Sequence, residues 1–381
     1  MTLVVRQRNY SSPTLVGDLL LTAKTNQQSY ILPAIGQDIT RFIPAGKARP
    51  VDLAQKLYIF GDNVGIVVTG DVGEIIKLLE DFQPFCSAGW PPEKIIEEAR
   101  AYDYSNFTES SYMLMIFDNS QVAVDGMIRV TEATYGGGFD SEENPFFKEW
   151  RLGGSGSLAF EELVNEERQF YSSFSEDDPR SPIVKNGALF SRLLSEERYF
   201  LKPLDARYGG GYEMAFYDGT RLQKLNNIAY ILQTGKYDPE GKVAIELPLM
   251  INYYRYEGND LYITAIELHD LHISHEGDIQ VMTATQLKAG CLRIPQLVRG
   301  ERAESAEVKS FETCSVGLGF VIHAPNENWF KPSCYSGTQA LAVSFSFEKK
   351  EVEIRLNREF QEYIATKFSE AYPNFTSAPL T

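Results

Sequence analysis

Strand-like and helix-like stretches in this chain come in like pairs, and that pairing limits its fold more than any other feature. TLVVRQRN reads as a strand, SSP breaks it, and TLVGDLLLTA reads as a second. Residues 33–50 carry Pro and Gly at both ends and read as an inserted loop. KLYIFGDNVGIVVTG is strand, turn and strand, with Gly61-Asp62-Asn63 supplying turn-tolerant residues. DVGEIIKLLEDF then spaces Ile75, Ile76, Leu79 and Phe82 for a helix face, and PPEKIIEEARAY follows as a second helix with Pro in its first turn. SYMLMIFDN and QVAVDGMI form another strand pair, and WRLGGSGS ends a strand in a glycine-rich turn. SLAFEELVNEERQF and NGALFSRLLSEERYF are paired helices, after which YEMAFYDG and LNNIAYILQTG return to strands. A doubly wound parallel sheet alternates strand and helix, so this segregation points instead to two antiparallel sheets stacked face to face with paired helices outside. From about residue 241 the pattern is almost all strand, until an amphipathic helix in NREFQEYIATKFSEAY. The expectation is an α+β chain with two domains, 1–240 and a β-rich accessory domain or extension at 241–381.

Composition narrows the function. With 381 residues, 43% of them hydrophobic, a packed core spanning two domains is expected. A net charge of −16 argues against a surface for nucleic acid or anionic membrane, whose phosphates it would repel. The four cysteines are far apart and form no CxxC pair, so neither a zinc ribbon nor a dithiol redox motif is indicated. No basic stretch leads into a long apolar run at the N-terminus, and no apolar stretch approaches a membrane span, so the expected compartment is the cytoplasm. No cofactor motif is visible: GGGFD and RYGGGYE are glycine-rich without being a phosphate or dinucleotide fingerprint. His269, His272 and His275 in HDLHISH could suggest a metal site, but in an extended segment positions three apart face opposite ways, and no metal is expected.

Six short segments carry the chemistry. Thr2 follows the initiator methionine; Asp18 stands sixteen residues later in TLVGD; Lys56 precedes a strand in AQKLYIF; Gly70 lies fourteen residues beyond it in VVTGD; Ser155 sits in GGSGS; and Asp205 precedes a glycine run in DARYGGG. In this order they resemble the proteasome β-subunit family, HslV-type bacterial peptidases included, which are N-terminal-nucleophile (Ntn) hydrolases. The resemblance covers about residues 2–240. It implies a four-layer αββα sandwich, with the β-rich C-terminal part as an extension outside the family pattern. It also implies a threonine peptidase in which Thr2, exposed by loss of Met1, is the nucleophile. Asp18 would hold and orient Lys56, the Gly70 N–H would line an oxyanion hole, and Ser155 and Asp205 would orient the amine and the hydrolytic water. A peptide or protein would be the substrate, with a homo-oligomer and an ATPase or other regulatory partner as possible associates. The physical logic is general. A threonine hydroxyl needs a base, and a free α-amino group, with an intrinsic pKa of roughly 8 that a nearby ammonium lowers, can be that base.

Each residue also has a plainer reading. Thr2 can be an ordinary second residue, Asp18 a turn or cap, Lys56 an edge lysine, Gly70 a turn glycine with Asp71 as the cap of the next helix, and GGSGS a flexible turn before a helix. The chain departs from the family in a longer segment between Asp18 and Lys56 and in Tyr208, where the family has serine. A second register, aligning GDLLLTAK, would put Lys24 in place of the aspartate and silence the site. Two other functions therefore stay open: an inactive scaffold or regulatory binding protein, and an amidase acting on a small amide.

Overall fold

The computed structural model describes residues 3–8, 13–23, 32–33, 49–122, 128–136, 141–144, 148–171, 181–205, 207–237, 243–323, 329–331 and 333–371. The first part of the chain runs β1 (Val4–Arg8), β2 (Thr14–Asp18), β3 (Leu20–Ala23), β4 (Arg49–Leu53), β5 (Leu57–Phe60), β6 (Val64–Thr69), α1 (Val72–Cys86), α2 (Pro92–Ala101), β7 (Ser111–Val122), β8 (Ile128–Tyr135), β9 (Ser141–Asn144), β10 (Lys148–Gly153), α3 (Ser157–Tyr171), α4 (Ser181–Phe200), α5 (Lys202–Asp205), β11 (Tyr212–Tyr217) and β12 (Leu222–Lys224). The remainder is β13 (Ile228–Tyr237), β14 (Val243–Glu257), β15 (Asp260–Leu268), β16 (His272–Glu276), β17 (Ile279–Ala284), β18 (Leu287–Ile294), β19 (Glu304–Ala306), β20 (Phe311–Thr313), β21 (Ser315–His323), β22 (Trp329–Phe330), β23 (Ser333–Ser336), β24 (Leu341–Ser346), β25 (Glu351–Asn357) and α6 (Arg358–Ala371).

These strands form five sheets. β12-β11-β2-β1-β10-β9 and β5-β6-β7-β8 are antiparallel throughout, and β3 pairs with β4 alone. The first two pack face to face. Val4 and Leu15 from one meet Leu57, Val67, Met113 and Met115 from the other, an apolar set removed from water on both sides. Strand alternation decides which residues do this: Leu15 points to the facing sheet, while Val16 next to it joins the core on the opposite side. The outer face of β5–β8 is covered by α1 and α2. Asp71 caps α1 by accepting from the Gly73 and Glu74 amides, and Ile75, Leu78, Leu79 and Phe82 form its buried stripe.

The rest of the molecule corrects the expected fold class. Among the described residues strand prevails, about half against about a quarter in six helices, so the protein is mainly β rather than a four-layer αββα sandwich with an appendage. The reason lies in α4. An outer-layer helix needs a polar face for water, yet α4 is buried along almost its whole central length, from Lys185 to Glu197. One side rests on β11 and the other on β21 and β23 of the eight-stranded sheet β19-β18-β15-β14-β13-β21-β22, in which β23 also pairs with β21. Ser191 and Ser195, one helical turn apart, lie against Gly317 and Gly319; a Cβ at either glycine would come within 2.2 Å of a serine hydroxyl. Small residues on both sides thus let the helix lie directly on the strand. Beyond that sheet a second core, including Ile251, Ile266, Val343 and Ile354, joins it to a five-stranded sheet, β16-β17-β25-β24-β20. One continuous core contains both Val16 of β2 and Ile263 of β15. Among the described residues no helix is long and apolar enough to cross a membrane.

Candidate functional site

Asp18 ends β2 with no exposed surface, and the chain around it supplies its partners. Its Oδ1 accepts from the Leu3 amide at 3.1 Å and from Lys56 Nζ at 2.8 Å, and its Oδ2 accepts from the Gly209 amide at 2.9 Å. Lys56 Nζ also donates to the Leu20 carbonyl at 2.6 Å. Burial pulls the Lys56 ammonium below its ordinary value, while the Asp18 charge and hydrogen bond, and the more distant Glu213, pull it back up. The two charges form a buried pair, each with further hydrogen bonds of the kind such a pair requires.

Leu3 is therefore held where Asp18 and Lys56 meet. Leu3 touches the same carboxylate oxygen as the ammonium. Thr2 itself lies outside the described residues. The GGSGS turn packs on this point: a Cβ on Gly156 would fall 2.6 Å from the Tyr208 ring and 3.1 Å from Leu3 Cβ. Ser155 is exposed, and its hydroxyl donates to the Arg207 carbonyl at 3.5 Å, the outer limit of a hydrogen bond. Asp205 ends α5, and its side chain lies outside what the structure describes. After it the glycine run turns sharply: Gly209 and Gly210 have φ of +123° and +72°, and the Gly209 carbonyl accepts from the Leu19 and Leu20 amides. Asp18, Lys56, the Ser155 turn and the Gly209 turn thus converge around Leu3.

Gly70 is placed differently. Lys56 faces Val68 across the β5–β6 ladder, its carbonyl accepting from the Val68 amide, and Gly70 follows two residues on at the strand end. Its φ of +124° and the Glu109 carbonyl, 2.3 Å from where a Cβ would sit, require glycine there. Ser110 and Asp71 are its neighbours, and Asp71 is the cap of α1, as the plainer reading of that segment expects.

Two acidic residues at the site were missed in the sequence. Glu213 on β11 is fully buried, and its Oε1 accepts from the Lys56 and Leu57 amides at 3.0 and 3.3 Å. Its Oε2 accepts from Lys224 Nζ at 2.6 Å and from the Tyr256 hydroxyl at 3.0 Å. The backbone carrying Lys56 is thus tied to β14, in the C-terminal part. The preceding residue is tied there too: the Gln55 amide donates to the Pro295 carbonyl, and its side chain donates to the Ile294 and Asn259 carbonyls. The second missed residue is Glu197 of α4, also fully buried, whose Oε2 accepts from the Gly210 amide at 2.8 Å. Burial, reinforced by the Asp18 charge and opposed by the Gly210 hydrogen bond, pushes its carboxyl up to about 8.

Both left a signal. Phe190, Leu193, Leu194 and Glu197 share one helical stripe, so an acid stands on the apolar face. Glu213 stands in a strand that is apolar on both sides, where a charge must find partners. The histidines of HDLHISH fall on or beside the exposed edge strand β16, and no group of metal-ligating side chains is found among the described residues. No protein-family model matches the chain, and no curated protein matches it.

Proposed function

We propose that this chain, processed to begin at Thr2, is a threonine hydrolase of the proteasome β-subunit type that cleaves peptide bonds. The observation that carries the reading is the meeting of Lys56 and the Leu3 amide on one oxygen of Asp18. Leu3 is the residue after the proposed nucleophile, and its amide shares one carboxylate oxygen with the ammonium. In this reading the neutral α-amine takes the proton from Thr2 Oγ1 as the oxygen attacks the scissile carbonyl. The amine then returns that proton to the departing nitrogen, which leaves an ester on Thr2. Water, deprotonated by the same amine, hydrolyses the ester and restores the hydroxyl. Lys56, kept charged by Asp18, lowers the cost of negative charge on the oxygen.

A second reading, a silent scaffold, is favoured by one fact: Asp18 and Lys56 are almost wholly removed from solvent, as a purely structural ion pair would be. Intact mass and hydrolysis of fluorogenic peptides separate the two. The hydrolase requires loss of Met1, covalent labelling of Thr2 by an electrophilic peptide, and loss of turnover in Thr2→Ala. Retained Met1, or turnover unchanged in Thr2→Ala, refutes it. Turnover of small amides but not peptides would change the substrate class only.

A further inference from the structure

Three buried carboxyl groups, Asp18, Glu213 and Glu197, lie in and around the Asp18–Lys56 pair, and they are not provided for equally. Asp18 receives two backbone amides and an ammonium. Glu213 receives two backbone amides, an ammonium and a phenol. Glu197 receives one amide, from Gly210, and its Oε1 is buried with no hydrogen-bond partner. A carboxylate removed from water needs several donors or a counter-charge, whereas a carboxylic acid does not.

The groups facing Glu197 confirm the contrast. Asp18 approaches from β2, Tyr208 from the glycine turn, Tyr212 from β11 and Tyr254 from β14, one anion and three phenols. On its own helix, Glu196 pairs with Arg192 and Lys331, and Arg198 pairs with Glu267. Glu197 and Asp18 hold successive amides of one turn: Gly210 donates to Glu197 and Gly209 to Asp18. The fit is close, since a Cβ on Gly209 would lie 2.3 Å from Glu197 Oε2.

We propose that Glu197 is a positioning residue that acts as an uncharged acid: it anchors the Gly209–Gly210 turn, and through that turn it aims an amide at Asp18 and steadies the Asp18–Lys56 pair. When Glu197 loses its proton, a second negative charge appears beside Asp18 with one hydrogen bond, from the Gly210 amide, in place to hold it. The turn is then driven away from one carboxylate or the other. The Asp18–Lys56 pair thus carries an alkaline limit set by a residue that acts on it through the Gly209–Gly210 turn. Only the consequence for reactivity rests on the hydrolase reading.

The sign of the effect on folding follows from the position of the proton. Between the ordinary glutamate value of 4.5 and about 8, the folded chain keeps the Glu197 proton and the unfolded chain does not. This contribution to stability is therefore fully present below the lower value, falls as pH rises between the two, and levels off above about 8.

The test uses the full chain, labelled with 15N-glycine, as wild type, Glu197→Gln and Glu197→Ala. The Gly209 and Gly210 amide resonances are followed from pH 5 to 9, with denaturant unfolding at each pH. In the wild type both resonances should shift with a midpoint near 8, and the folding constant should fall by up to roughly tenfold per pH unit below it. Glu197→Gln keeps an acceptor for Gly210 and carries no charge. It should match the wild type at pH 5, lose the glycine titration and flatten the stability profile, whereas Glu197→Ala should be weaker at every pH. Glycine resonances that do not titrate in the wild type, or a Glu197→Gln chain as weak as Glu197→Ala at pH 5, would overturn the proposal. Labelling of Thr2 by an electrophilic peptide is read on the same samples. If Thr2 is inert in all three while the wild-type glycines titrate, the hydrolase reading fails and the role of Glu197 stands.

Discussion

Replacing Lys56 by methionine tests the centre of the candidate site, because its ammonium and the Leu3 and Gly209 amides converge on Asp18. The substitution keeps an unbranched apolar side chain in place of the lysine stem and removes the ammonium. Asp18 would then hold its charge, fully buried, without its counter-ion, with the Leu3 and Gly209 amides still donating to it. Removing one partner of a buried pair costs about 3–5 kcal/mol, chiefly because the remaining charge has lost its counter-ion. Neither side chain is exposed enough for solvent screening to reduce this: they are 3% and 0% accessible. Asp18→Asn makes the reciprocal error, leaving a buried ammonium with the Leu20 carbonyl and an amide oxygen. The double variant has no charge to strand, and its Asn oxygen still accepts an amide. The two single losses should therefore not add, and the double variant should be more stable than their sum by about 2–3 kcal/mol, the upper range for residues in contact. The assay is a double-mutant cycle by urea unfolding, followed by far-ultraviolet circular dichroism at pH 7. Single variants that each lose under about 1 kcal/mol, the usual worth of an exposed pair, would refute the argument, and so would strict additivity. Peptide turnover adds the functional arm. In the hydrolase reading, a folded Lys56→Met/Asp18→Asn chain keeps its structure and loses kcat.

Two further outcomes probe the struts themselves. Tyr256→Phe removes the one donor to Glu213 that comes from β14; it should cost about 1.5–3 kcal/mol, the range for a hydrogen bond to a charged group, and lower the unfolding temperature, read by differential scanning calorimetry, without altering the far-ultraviolet spectrum. Gly156→Ala drives a methyl group into the Tyr208 ring and against Leu3 Cβ. It should cost about 1–3 kcal/mol by overpacking and slow any labelling of Thr2, whereas a neutral result in both measurements would mean that the turn does not press on the start of the chain.

The sequence made the local elements plain and concealed how they stack. The α1 stripe, its Asp71 cap and the β5–β6 hairpin are decided within a few residues by periodicity and turn chemistry, so they can be read one window at a time. The burial of α4 on both sides depends on Gly317 and Gly319, more than a hundred residues downstream, and no window containing Ser191 and Ser195 reveals it. Read locally, that helix belongs to an outer layer, and its burial on both sides is what makes the protein mainly β and not a four-layer sandwich. The site divides along the same line. The resemblance implied that Asp18 would hold Lys56, and although the segment between them departs from the family pattern, the fold places the two side chains in contact as a pair. The residues that hold it, Glu197, Glu213 and Tyr256, come from a helix and strands far along the chain and match no motif. What they share is a physical anomaly, a polar or charged group where the surrounding pattern is apolar. Such a group cannot be left without partners, so an acid on an apolar stripe marks a place where distant parts of the chain must meet, even before the fold is known. By that criterion the C-terminal strands help to place Lys56, since Tyr256, through Glu213, and the Pro295 carbonyl hold the Lys56 and Gln55 amides. A chain truncated near residue 240 should therefore lose the placement of Lys56 along with its C-terminal sheets.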